Sequence, residues 1–173
     1  MKHEITLEAD QQLRAALDRQ QITDLIYRYC RAVDRIDVEL GYSVWHADGV
    51  AEYEGFYSGS GRGLIDKVCA SHHHLLCHSH QISNIIIELD GERAASETYI
   101  TATLRMQDGA RLKQIMVWSR YVDRWSRRNG RWGIDKRLNI RDFDEIREVV
   151  AMSQSSWGQR SPNDPSYEAL KSV

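Results

Sequence analysis

Apolar residues recur at three- and four-residue steps through Leu13, Ala16, Leu17, Leu25, Ile26, Tyr29 and Val33, with no Gly or Pro between. That spacing belongs to one side of a helix, so residues 11–33 are predicted as an amphipathic helix. "DVELGYSVW" (37–45) predicts a short second helix with Asp37 as its N-cap, although Gly41 inside it weakens the helix. In "GVAEYEGFYSGSGRG" alternation gives way to a Gly and Ser cluster, which reads as a strand, a turn and a short return. Helical spacing resumes through Leu64, Ile65, Val68, Cys69 and Leu75, predicting a third helix over 64–77.

Beyond it the period changes to two. "HQISNIIIEL", "RAASETYITATLRM", "LKQIMVWSRYVDRWSRR" and "RWGIDKRLNIRDF" are separated by "DGE", "QDG" and "RNG", each turn holding a Gly able to take positive φ. Four long strands in succession with short turns make an antiparallel meander. Helices followed by such a meander give an α+β fold, with the helices on one face of a strongly curved sheet and a pocket between them. Residues 1–150 read as a single domain. Residues 151–173 hold both prolines and little periodicity, so they read as a C-terminal tail packing on a neighbouring subunit.

Composition narrows the function. The 173 residues carry a formal charge of -2, and Lys and Arg are scattered rather than gathered into a stripe, which argues against nucleic acid as a partner. No run reaches the ~18 apolar residues of a membrane span, and "MKHEITLEAD" lacks a signal-peptide core, so a cytoplasmic protein is expected. Cys30, Cys69 and Cys77 form neither a disulfide framework nor a CxxC pair, and reduced thiols are the simpler reading.

Five of the seven histidines fall in "HHHLLCHSH", residues 72–80. A metal site needs ligands converging from defined spacings; His74 and His78 stand at i, i+4, but the predicted helix ends between them. No metal is expected. His72, His73 and His74 point in different directions around a helix and read as its solvated end. His80 instead opens a strand on which His80, Ile82, Asn84 and Ile86 should share a face, and an imidazole facing a pocket requires a polar partner. "YRYCRAVDRID" offers one. A carboxylate at a helix C-terminus meets the negative end of the dipole, so Asp34 needs a reason for its place, and a nearby His supplies it. Tyr29 lies one turn before Val33, where core packing is the plain reading.

"ITDLIYRYCRAVDRID", "YSVWHADGVAEYEG", "HSHQISN" and "YVDRWSRRNGRWGIDKR" together resemble the SnoaL-like branch of the nuclear-transport-factor-2-like superfamily, over roughly residues 11–143. Within it the pattern is most similar to scytalone dehydratases, hexachlorocyclohexane dehydrochlorinases and bile acid 7α-dehydratases. The resemblance implies a cone-shaped α+β barrel assembled as a homodimer or homotrimer, with a catalytic Asp-His dyad at Asp34 and His80. It further implies a hydroxyl donor at Tyr29, an anchoring arginine at Arg137 or Arg141, and no cofactor. The implied activity is elimination, foremost dehydration, from a hydrophobic cyclic or aromatic small molecule, with Trp45, Tyr53, Met116 and Trp118 among the pocket walls. The same dyad suits isomerisation or formaldehyde-releasing retro-aldol cleavage of an aromatic diol. A noncatalytic role, as a dioxygenase β-subunit or a ligand-binding module, shares the fold without needing both Asp34 and His80.

Overall fold

The computed structural model describes residues 2–171, and the side chains of residues 8–171. The first helix, α1 (Lys2–Arg35), is longer than predicted, and the predicted stripe is buried only toward its C-terminal end. Ile22, Ile26, Tyr29 and Val33 face the core, whereas Leu13 and Leu17 are 60% and 54% exposed. Nine residues at about 100° each put Leu13 on the opposite side of the helix from Ile22. Asp18 takes the inward place instead, accepting from Arg127 Nη1 at 2.6 Å and Trp132 Nε1 at 3.0 Å.

The end of α1 is built for position. Asp37 N–H donates to the Ala32 carbonyl at 2.8 Å and Ile36 N–H to the Val33 carbonyl at 3.4 Å, the two bonds of a Schellman cap. The residue that turns the chain is Ile36, with φ of 54°. A β-branched side chain there costs about 1–2 kcal/mol, which the surrounding contacts must offset.

Next come α2 (Val38–Ser43), capped by the Asp37 carboxylate accepting from Leu40 N–H at 3.0 Å, and strands β1 (Trp45–Tyr53) and β2 (Tyr57–Ser60). Helix α3 (Gly61–His73) starts on the Ser60 N-cap and stops before Cys77, which already belongs to β3 (Cys77–Asp90). It therefore begins and ends earlier than its periodicity suggested. Gly41 has a packing reason: a Cβ there would stand 2.7 Å from Ile65 of α3, so glycine lets α2 and α3 touch.

The meander follows as β4 (Arg93–Asp108), β5 (Arg111–Arg128) and β6 (Arg131–Val149). Gly91, Gly109 and Gly130 all take positive φ in the three turns. The sheet is six-stranded, ordered β2-β1-β6-β5-β4-β3, curled but unclosed, with β1 and β6 parallel and the other pairs antiparallel. This is the expected α+β cone.

Cross-strand partners share a face, so the register maps the inner wall. One row runs His80, Ala102, Val117, Asp144; the next Ile82, Ile100, Ser119, Arg141; then Ile85, Thr98, Tyr121, Asn139, Tyr53; then Ile87, Ser96, Asp123, Arg137, Ala51. A bulge between Ser83 and Ile85, with Asn84 at φ 47°, breaks the alternation of β3. Consequently Asn84 and the 57%-exposed Ile86 do not share the His80 face, and Ile85 and Ile87 pack inward instead.

Part of the tail folds onto its own chain. Arg160 Nη1 donates to the His72 carbonyl at 2.6 Å, Asp164 pairs with Arg35 at 3.5 Å, and Tyr167 in α4 (Pro165–Lys171) donates to Asp37 at 2.7 Å. Among the described residues no helix is long and apolar enough to cross a membrane, and all three cysteines are free.

Candidate active site

Asp34 occupies the last turn of α1 and His80 the start of β3, and the fold brings them together. Both Asp34 carboxylate oxygens lie 3.1 Å from the His80 backbone nitrogen, and Oδ1 lies 2.7 Å from His80 Nδ1. Their side chains are 16% and 9% exposed, so the pair is largely screened from water. Carboxylate oxygens accept, so Nδ1 carries the proton, and the lone pair of the neutral ring resides on Nε2. Such an imidazole is a base with its orientation and tautomer already set.

Deeper in the cone three tyrosines pack together. Tyr29 is buried, and its hydroxyl lies 2.9 Å from that of Tyr53. Tyr121 meets Tyr29 edge to face at 5.5 Å. Burial raises the pKa of Tyr29 and pushes those of Tyr53 and Tyr121 well above the ordinary phenol value, so all three remain protonated donors near neutral pH.

Arg137 stands between the rings of Tyr29 and Tyr121, at 4.2 and 4.0 Å from their centroids. It is fully buried and pairs bidentately with Asp123, both N–O distances being 2.7 Å. Two N–H groups are thereby committed, while Nη1 is buried and has no partner within the protein. Arg141 shares a row with Ile82 and Ser119, but its side chain is 55% exposed and lies 3.6 Å from Asp144. Of the two arginines, only Arg137 sits beside Tyr29.

The expected walls divide. Tyr53 faces inward, and Trp45 is a buried core ring 5.9 Å from the Arg137 guanidinium. A Cβ on Gly61 would come within 2.1 Å of that indole, which marks it as packed against α3. Met116 and Trp118 are not pocket walls. On β5 the inward residues are Ser119, Tyr121 and Asp123, so the even positions face the outside of the sheet, where Trp118 stacks on exposed Phe143 at 4.7 Å.

His72 also departs from expectation. It is 6% exposed rather than solvated, its ring 4.2 Å from that of His78 and 5.4 Å from that of His80. His73 and His74 are exposed as expected. Sequence reasoning missed His72, Tyr121, Asp123 and Asn139. The period-two "YVD" of β5 was the available signal for Tyr121 and Asp123. Among the described residues no group of three or more His, Cys, Asp or Glu side chains is arranged to hold a metal ion.

Residues 14–138 match the SnoaL-like domain model. Hexachlorocyclohexane dehydrochlorinase LinA-type3 from Novosphingobium barchaimii has a similar structure, with a TM-score of 0.71 at 16% identity, covering 84% of this chain and 99% of that one. A candidate scytalone dehydratase from Novosphingobium aromaticivorans gives 0.67 at 16% identity, over 82% and 97% of the two chains. A protein of unknown function from Mycobacterium tuberculosis gives 0.63 at 25% identity, over 78% and 75%. No curated protein matches the chain. At these identities the two enzyme likenesses are likenesses of fold.

Proposed function

The chain belongs to the SnoaL-like family, and from that premise we propose that it is a cofactor-independent lyase whose His80 removes a proton from carbon. The observation that carries the reading is the 2.7 Å contact between Asp34 and His80 Nδ1. With Nδ1–H given to the carboxylate, Nε2 takes the substrate proton, and Asp34 stabilises the imidazolium without itself being protonated. The C–H electron pair becomes the new double bond, and the leaving group departs with its own bonding pair.

Tyr29 and Tyr53, whose phenols burial keeps protonated, suit a role as hydrogen-bond donors to the leaving group or a developing oxyanion, not as acids. When hydroxide leaves, the proton that makes it water comes from the His80 imidazolium, which restores the base. Arg137 Nη1 is the donor available for a polar substituent of the substrate. Next to His80 the inner rows carry Ala102, Val117, Ile82 and Ile100, an apolar stretch that suits a hydrophobic cyclic or aromatic substrate. We further propose that the active form is a homodimer or homotrimer.

The test is a screen of hydroxylated aromatic, steroidal and halogenated cyclic compounds against the purified protein, with mass detection of products. Loss of water or hydrogen halide is the expected result. Release of formaldehyde would move the reaction to retro-aldol cleavage, and a product of unchanged mass to isomerisation.

A further inference from the structure

Val33, the residue before Asp34, has a carbonyl that two imidazoles approach. His78 Nε2 lies 3.0 Å from it and His72 Nδ1 3.4 Å, in addition to the Ile36 N–H of the Schellman cap. A carbonyl only accepts, so His78 is the Nε2–H tautomer and His72 the Nδ1–H tautomer. His78 is left with a bare, buried Nδ1 that has no partner in the protein. A ring that leaves one nitrogen buried and unpaired is held there by what its other nitrogen does.

What that nitrogen does is finish the helix. The last carbonyls of α1 lack intrahelical partners and form the negative end of its dipole, and Asp34 adds a carboxylate at that same end. N–H donors on the Val33 carbonyl offset the accumulated negative charge. They also brace a cap whose turning residue, Ile36, is in the left-handed region. The tail contributes from behind, since Arg160 bonds to the carbonyl of His72 itself.

We propose that His72 and His78 are positioning residues of the dyad: their ring N–H groups grip the Val33 carbonyl and thereby fix the backbone from which Asp34 reaches His80. The inference rests on reading Asp34 and His80 as the catalytic pair, but the geometry it concerns is independent of any substrate. Burial keeps both added imidazoles more easily deprotonated than usual, and the neighbouring rings repel a second cation.

Nitrogen-15 NMR of the histidine rings in the whole protein tests this. The wild type should show His78 protonated at Nε2 and His72 at Nδ1, and the His80 Nδ1–H should be protected from solvent exchange. His78→Leu and His72→Leu remove the donors, and each should speed exchange of the His80 Nδ1–H by about tenfold or more as the helix end loosens. Glutamine places an N–H near the Nε2 position of histidine and asparagine one near Nδ1. His78→Gln and His72→Asn should therefore restore exchange to within about threefold of wild type. Unchanged exchange in the leucine variants overturns the proposal, as does exchange in the amide variants as fast as in the leucine ones. If the leucine variants do not fold, the wild-type tautomers and the amide variants decide, and the opposite tautomers would refute it. Turnover is not measured, so failure of the lyase reading would appear in the substrate screen and leave this result standing.

Discussion

His72 is packed against two other imidazoles, and burial pushes its pKa down to about 3. The folded protein keeps this ring neutral, while the unfolded chain takes a proton below about pH 6.5, so stability is lost as pH falls from that value toward 3. Burial lowers His78 in the same direction. Between pH 7 and 5, above the range in which most carboxylates titrate, each such proton costs up to about 1.4 kcal/mol per pH unit. The Tm should fall across that interval, and fall less steeply in His72→Asn; equal slopes would refute the account of His72. For the arginines, Arg137→Leu leaves Asp123 buried and uncompensated and should cost about 3–5 kcal/mol in urea unfolding. Arg141→Ala, on an exposed side chain, should stay within about 0.5 kcal/mol. In turnover, Asp34→Asn should lose more than Tyr29→Phe, because an amide neither stabilises the imidazolium nor fixes its tautomer, whereas Tyr29 contributes one hydrogen bond. A larger loss in Tyr29→Phe would reverse the roles. Asp34 and His80 could be read from the chain because each is anomalous where it stands, an anion at a helix C-terminus and a polar ring opening an apolar strand. His72 could not, since three consecutive histidines point about 100° apart and only the true start of α3 decides which turns inward.

Among the elements, the succession of the four meander strands and their turns was legible because each of those turns carries a glycine at positive φ and the strands alternate, whereas nothing in the pattern of β1 announced its parallel pairing with β6. Alternation failed where the backbone changed phase. Asn84 inserts an extra residue, so the parity counted from His80 holds to Ile82 and then inverts. Asparagine tolerates the left-handed region and a β-branched residue does not. Asn84→Val should destabilise by about 1 kcal/mol and Asn84→Gly by less, read as denaturation midpoints. Equal midpoints would mean that the bulge does not require this conformation. Met116 and Trp118 were misplaced for a different reason: hydrophobicity marks a residue as covered without saying which side of a curled sheet covers it. Their outward face instead carries exposed Phe143 and Tyr99.

Over the whole molecule, the order of helices and meander defines the cone, and the cone places the end of α1 against the start of β3. The contacts made by the tail had no periodic signature to read: Arg35 with Asp164, Tyr167 with Asp37 and Arg160 with the His72 carbonyl are isolated polar contacts between segments distant in sequence. They gather where the end of α1, which carries Asp34, meets the end of α3, so the architecture converges on one pair of side chains. The central claim is that His80 is the base. Its most direct test is kcat/KM of His80→Ala beside wild type, on the first compound the screen shows to be turned over, with Tm confirming the fold. A loss of roughly 10²- to 10⁴-fold is expected for removal of a positioned base, whereas a variant retaining more than about a tenth of wild-type kcat/KM would contradict it.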